Sequence, residues 1–286
     1  MDNIDFLQSM IGASMNDNTQ VTFAGVGSAF AKKNAQTSMI IMKNGISVLV
    51  DCGTTIPGVL ASKGIPIWAF DYYLPTHSHA DHVGGYEELL LMSRYVAKKK
   101  PNVIITEQYF KILWDDTLRG GCEHNESELL KFSDLVEPVR PHWVAAQPRE
   151  MYRILIPTPG APLHLLLFRT AHTPGFVSRW EDAFFSLGVL IDGTYLYSGD
   201  TRFDRSLFDD LGDYMDPIVA KGEIFHDCQL FNPGVVHASY DELKTLPSEI
   251  KGAIKLVHYG DNFEDIHPED DGFLGGFVKP WHVYGM

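Results

Sequence analysis

The chain is poor in cysteine. Cys52, Cys122 and Cys228 are the only three in 286 residues, too few and too odd in number for a disulfide framework, which points to a reducing cytosol. It also lacks a long hydrophobic run. Gly, His or a charged residue interrupts every apolar stretch well before the roughly 18 residues a membrane-spanning helix needs. Positive charge is scarce too. Lys plus Arg is 23 against 37 for Asp plus Glu, a net charge of −14. That balance opposes binding along a long nucleic acid, which basic residues drive, but leaves room for a small anion held through metal ions. The start, Met1-Asp2-Asn3-Ile4-Asp5, has no basic segment of the kind that opens a secretory signal. Repeats, low-complexity tracts and linkers are absent. Apolar residues make up 45%, which excludes disorder over most of the chain. The length allows one core without staples, and residues 1–286 read as a single domain.

Strand and helix signals alternate. Gln20 to Ala24 reads as a strand that ends in a tight turn at Gly25-Val26-Gly27. A dinucleotide loop is a poor match there, because Phe30 stands where the third glycine belongs and no helical pattern follows. Ser38 to Met42 and Ile46 to Val50 flank Asn44-Gly45, and Asp192-Gly193 separates the strand patterns Phe184 to Ile191 and Thr194 to Ser198. Both are hairpin signals. Further strands are expected at Asp71 to Leu74, Asn102 to Thr106, Ile154 to Ile156, Leu163 to Thr170 and Ile254 to Val257. Helices are expected at Tyr86 to Ala97, Leu207 to Leu211 and Tyr240 to Leu246. A helical insert, about 107–140, is expected to break at Arg119-Gly120-Gly121-Cys122. This order predicts an α/β (α+β) fold with two β-sheets faced by helices rather than one doubly wound parallel sheet.

The chemistry concentrates in Thr76-His77-Ser78-His79-Ala80-Asp81-His82, just past a predicted strand and before Gly84-Gly85. His77 and His79, two apart, can point to one side, and Asp81 and His82 then turn to a neighbouring point. Imidazole with carboxylate suits Zn, Mn, Fe or Ni. So short a segment cannot close two coordination spheres. His172, Asp200 and His258 each follow a predicted strand, where functional groups gather, and together they complete a binuclear set. Asp51, closing the strand Ile46 to Val50, is expected to orient the metal loop from behind.

His77-x-His79-x-Asp81-His82, followed in order by His172, Asp200 and His258, resembles the metallo-β-lactamase fold from Gln20 to about Phe263. The resemblance implies an αββα sandwich with two divalent cations at one edge, zinc first and manganese as the alternative. One cation would take His77, His79 and His172. The other would take Asp81, His82 and His258, and Asp200 would bridge them. His226-Asp227-Cys228-Gln229-Leu230 and His237-Ala238-Ser239-Tyr240 resemble paired segments of the tRNase Z-like phosphodiesterases. By that likeness His237 is the proton donor and Asp227 its orienting partner, although Asp227 is one methylene shorter than the usual Glu. Asp81, His237 and Asp227 are thus the expected catalytic residues, and His226 is expected to be structural.

Two cations can hold phosphate oxygens and lower the pKa of water from 15.7 toward about 7. A protonated His237 would serve the leaving oxygen. Phosphodiester hydrolysis follows, with a tRNA 3′-processing endonuclease as one reading. The short stretch from His172 to Asp200 has no basic Gly/Pro-rich arm, and the negative charge opposes a polyanion, so a small substrate is favoured. The insert carries Tyr109, Phe110, Trp114, Arg119, Gly120, Gly121, Cys122, Glu123 and His124. With a tRNase Z-like core and no arm, it resembles the phage anti-Pycsar cyclic-nucleotide phosphodiesterases. That likeness implies opening of cyclic CMP and cyclic UMP, with cyclic AMP and GMP as further candidates, to nucleoside monophosphates. It also implies a role against cyclic-nucleotide immune signalling in a bacterial or phage-infected cytosol. It further implies a homodimer in which Arg119, Gly120, Gly121 and His124 contact substrate. Arg202 is expected to pair with Asp204 or Asp209.

Overall fold

Runs of aliphatic and β-branched residues set the strands. In the computed structural model, residues 18–221 and 223–285 are described, so the acidic start at Met1 to Asp5 lies outside them. β1 (Gln20–Gly25), β2 (Ser38–Lys43), β3 (Ile46–Val50), β4 (Tyr72–Leu74), β5 (Asn102–Ile104) and β6 (Glu137–Val139) pair in chain order into one sheet. β7 (His142–Ala145), β8 (Met151–Ile156), β9 (Leu163–Arg169), β10 (Leu187–Ile191), β11 (Tyr195–Tyr197), β12 (Ile224–Asp227) and β13 (Ile254–Val257) form the second, also in chain order. The Asn-Gly and Asp-Gly turns close hairpins as expected. Asn44 and Asp192 both have φ of 49°, the left-handed backbone that a two-residue hairpin turn requires.

Strand direction places the site. β3, β4, β5 and β6 run parallel to one another. In the second sheet β11, β12 and β13 are parallel, and β9 shares their direction because β10 is antiparallel to both β9 and β11. The C-terminal ends of β3, β4, β9, β11, β12 and β13 therefore open onto one rim. One apolar cluster fills the space between the sheets and reaches the helices Ile56–Ser62 and Tyr86–Met92 through Ile56, Leu60, Leu89 and Leu90. A second packs the outer face of the second sheet, through Leu166, Leu196 and Ile224, against Leu207, Leu211 and Leu243 of the helices Ser206–Leu211 and Tyr240–Leu243. The result is the expected αββα layering.

Some elements depart from the sequence reading. β6 holds Pro138 at a sheet edge, β7 is mostly exposed, and β12 is only Ile-Phe-His-Asp, so none carried a period-two signal. The strand expected from Phe184 begins at Leu187, because Phe184 and Phe185 are drawn into the rim. The insert does not break at its glycines. A helical path runs from Glu107 through a π stretch at Ile112–Leu118 to Cys122. Gly121 sits within that path, close to the mobile end of the exposed Glu87 side chain.

Arg149 is fully buried. Its guanidinium donates to the Arg169 carbonyl at 2.8 Å, to Asp204 at 2.7 Å and to Asp210 at 2.8 Å. It thereby ties the end of β9 to the segment that follows Asp200. Arg202, expected to pair with Asp204 or Asp209, donates to the Val177 carbonyl instead, and Asp204 is taken by Arg149. Removing one partner from such a buried network costs about 3–5 kcal/mol. Arg149→Ala is expected to lose roughly that much stability in urea unfolding, and a change below about 1 kcal/mol would refute the assignment.

Candidate metal centre

The rim collects the histidine cluster from the turn after β4. His79 caps the short helix Ala80–Val83, which contributes Asp81 and His82. His172 follows β9, Asp200 follows β11, Asp227 ends β12, and His258 follows β13. His77, His79, His172 and Asp200 form one group of donor atoms lying within 4.8 Å of one another, and Asp81, His82, Asp200 and His258 form a second. Asp200 belongs to both, and also to a third group with Asp227, His237 and His258. All seven expected ligands are thus brought together, and all but His79 are buried.

Hydrogen bonds behind the site fix the imidazole tautomers. Thr76 gives its hydroxyl proton to Asp51 at 2.8 Å, so its oxygen accepts from His77 Nδ1 at 3.1 Å. Thr37 gives its proton to the Gly27 carbonyl at 3.1 Å and accepts from His258 Nδ1 at 3.1 Å. His172 Nδ1 donates to the Val236 carbonyl at 2.7 Å. In each ring Nε2 is left as an inward lone pair. His77 Nε2, His258 Nε2 and Asp200 Oδ1 are buried with no hydrogen-bond partner. His172 Nε2 meets His79 Nδ1 at 3.1 Å. Buried acceptors of this kind are normally satisfied, and inward lone pairs beside a carboxylate oxygen suit divalent cations. The residues fit the pair of metals that the fold implies.

The electrostatics agree. Burial, reinforced by the other imidazoles, holds His77 well below the usual histidine range and takes His172 down to about 4, so both are neutral donors at neutral pH. Burial would raise Asp200, but His258 and His82 keep it well below the ordinary carboxylate value. Burial likewise opposes a charged His82, yet Asp200 and Asp51 override it and raise its pKa well above normal, so His82 must give up its Nε2 proton before that nitrogen can serve as a ligand. His82 Nδ1 lies 2.7 Å from Asp51 Oδ2, and Nε2 lies 3.1 Å from Asp200 Oδ2. Asp51 therefore sits behind the metal loop, where it also accepts from the Thr76 amide at 2.7 Å. Asp51 and His258 both have left-handed backbones, with φ of 61° and 62°. Such strain for non-glycine residues persists where the surroundings over-determine it.

His237 Nδ1 lies 2.8 Å from Asp227 Oδ2, whose same oxygen accepts the Thr201 amide at 3.0 Å. The shorter Asp reaches the imidazole despite its missing methylene. Burial lowers the His237 pKa, but Asp227 and then Asp200 outweigh it and raise it to about 9. His226 turns away, with Nδ1 donating to the Asp227 carbonyl at 2.8 Å. The insert residues expected to contact substrate lie elsewhere. Arg119 pairs with Glu123 at 2.9 Å on an exposed helix face, Gly120 faces open space, and His124 is exposed beside Glu123. None of them lines the cavity at His77 and His79. Sequence reasoning missed Thr37, Thr76 and the Val236 carbonyl as tautomer-setting partners. Only Thr76, adjacent to the cluster, carried any signal.

Two facing sheets with helices outside and His/Asp loops on one rim define the metallo-β-lactamase fold. The solved structures it resembles agree. The metallo-β-lactamase fold protein YhfI from Bacillus subtilis matches with a TM-score of 0.64 at 14% identity, covering 94% of this chain and 100% of that one. Human tRNase Z, short form, matches at 0.57 and 16%, covering 93% and 98%. Sequence comparison goes further. A family model described as anti-Pycsar protein Apyc1 matches residues 19–284. The anti-Pycsar protein Apyc1 of Paenibacillus harenae is 35% identical over 244 residues, 85% of this chain and 91% of its own. That of Bacillus phage vB_BsuM-Goe3 is 35% identical over 259 residues, 88% and 93%. The chain belongs to the anti-Pycsar Apyc1 family.

Elemental analysis of the purified protein is expected to find about two divalent ions per chain, the number such binuclear sites hold. Asp200→Ala is expected to reduce that content, and chelation to lower Tm, because folding and metal binding are coupled. Wild-type protein that binds no ion and melts identically with and without chelator would sink the assignment.

Proposed function

We propose that the protein is a binuclear-metal phosphodiesterase that opens small cyclic nucleotides, cyclic CMP and cyclic UMP first and cyclic AMP and GMP next, to nucleoside monophosphates. The observation that carries this reading is the His237–Asp227 pair beside the two donor groups. A diester, unlike a thioester whose thiolate departs readily, needs its departing alkoxide protonated. His237, held protonated by Asp227, is placed to do that, and such help is worth roughly 10²–10⁴-fold. His77, His79 and His172 with Asp200 would hold one cation, zinc first and manganese next, and Asp81, His82 and His258 with Asp200 the other. When bound, the cations offset the phosphate charge and lower the pKa of water toward about 7. The relatives' name, anti-Pycsar protein, supports a role against cyclic-nucleotide immune signalling, and with it a bacterial or phage-infected cytosol. Among the described residues no helix is long and apolar enough to cross a membrane. A homodimer is part of the proposal. Arg119, Gly120 and His124 lie on the surface away from this chain's own donor groups and would contact substrate in a partner's site.

The fold likeness to tRNase Z favours one rival, tRNA 3′-end cleavage. The net charge of −14 and the lack of a basic arm before Asp200 oppose it. Incubation with the four cyclic nucleotides and with 3′-extended precursor tRNA separates the two. Monophosphate release from the nucleotides is expected, and cleavage of the RNA alone would overturn the proposal. His237→Ala is expected to cut turnover of cyclic CMP at least about tenfold. It should spare a p-nitrophenyl diester, whose leaving group needs no proton. Equal losses on both substrates would remove His237 from that role.

A further inference from the structure

Next to the first donor group lies a cavity of about 370 Å³, within the range of small-molecule sites. His77 and His79 floor it, and Ile112, Thr173, Phe184 and Phe185 wall it. Three of these walls are apolar. The one carboxylate at its margin, Asp116, repels phosphate, so the cavity suits an uncharged part of a substrate whose phosphate sits on the metal side.

We propose that this cavity seats the nucleobase, with Phe184 as its principal contact. The inference rests on the phosphodiesterase reading for the presence of a nucleotide, and on the following geometry for where its base goes. Phe184 is 70% exposed, yet its backbone is held. Its amide donates to the Thr173 carbonyl at 2.8 Å. Arg169 Nη2 donates to the Ala183 and Phe184 carbonyls at 3.0 and 3.3 Å. The same guanidinium lies 4.7 Å from the centre of the Phe185 ring. Phe185 in turn stacks on the buried Tyr109, with ring centres 5.1 Å apart and an interplanar angle of 5°. Tyr109 accepts a hydrogen bond from Ser78, between the two histidines of the floor, at 3.2 Å. An exposed aromatic ring on so fixed a segment is a preorganised stacking surface, and preorganisation lowers the ordering cost of binding. Stacking reads the face common to every base, so the seat accepts purines and pyrimidines alike. Arg169 is a positioning residue here, since it acts through the segment it holds.

The test is calorimetric binding to the full-length, metal-loaded protein, with CMP, AMP and the base-free ribose 5-phosphate as probes. Phe184→Ala is expected to weaken CMP and AMP by about tenfold or more, in line with the value of one base–aromatic stack. It should leave ribose 5-phosphate unchanged, and Phe184→Tyr should retain wild-type affinity. The inference is overturned if wild type binds no CMP, if Phe184→Ala binds CMP as wild type does, or if ribose 5-phosphate weakens equally. It is also overturned if the variant changes only oligomeric state. The two readings fail separately. Normal KM for cyclic CMP in Phe184→Ala removes the seat and leaves the phosphodiesterase. Phe184-dependent CMP binding without turnover of any cyclic nucleotide removes the phosphodiesterase and leaves the seat.

Discussion

Asp200 is a buried carboxylate held in its ionised form by the imidazoles around it, and the rest of the rim is arranged about it. An unpaired charge in the interior is costly. Asp51 and Asp81 add two more carboxylates nearby, and every lone pair that His77, His172 and His258 turn inward adds electron density to the same point. Such a cluster is stable only around positive charge. Two divalent cations held by these donors would supply it.

Holding these groups in place falls to atoms with no chemical role of their own. Thr76, Thr37 and the Val236 carbonyl each consume one imidazole N–H, so the opposite nitrogen has nowhere to point except inward. The left-handed turns at Asp51 and His258 swing both side chains back over the strand ends. Beneath them Gly27 bridges both Gln36 and Tyr259, and a Cβ there would crowd the Asn34 carbonyl at 2.8 Å. Arg149, buried beneath the loop after Asp200, joins β9 to that loop. The strands that carry His172 and Asp200 are therefore locked together before any ligand arrives.

Around this centre the surface is asymmetric. His237 stands between the donor groups, its ring centre 5.0 Å from that of His172 and 4.9 Å from that of His258, whereas the apolar cavity lies beside His77 and His79. A ligand bridging the two would present an uncharged ring to one side and a phosphate ester to the other. The acidic character of the whole chain restricts such a ligand to a small anion that meets the charge of bound cations rather than that of the protein.

The residue types and spacing at His77 to His82, with His172, Asp200 and His258 each after an aliphatic run, were enough to locate the ligand candidates, because a strand end and its loop are local features. The same local logic gave the two Asn/Asp-Gly hairpins and the layered fold. It failed for β6, β7 and β12, which are short edge or buried polar strands without periodicity. It also failed for Gly120-Gly121, which lie within a helical path despite the helix-breaking tendency of glycine. Phe184 had no signal at all, since an exposed ring and a core ring look alike in a strand pattern. Local patterns in the chain fix which donors it owns and that strands deliver them. Long-range packing fixes that the strand ends share one rim, which lone pairs face inward and which aromatic ring is left open beside them. Those outcomes depend on contacts between residues as far apart as Thr37 and His258, which no local pattern encodes.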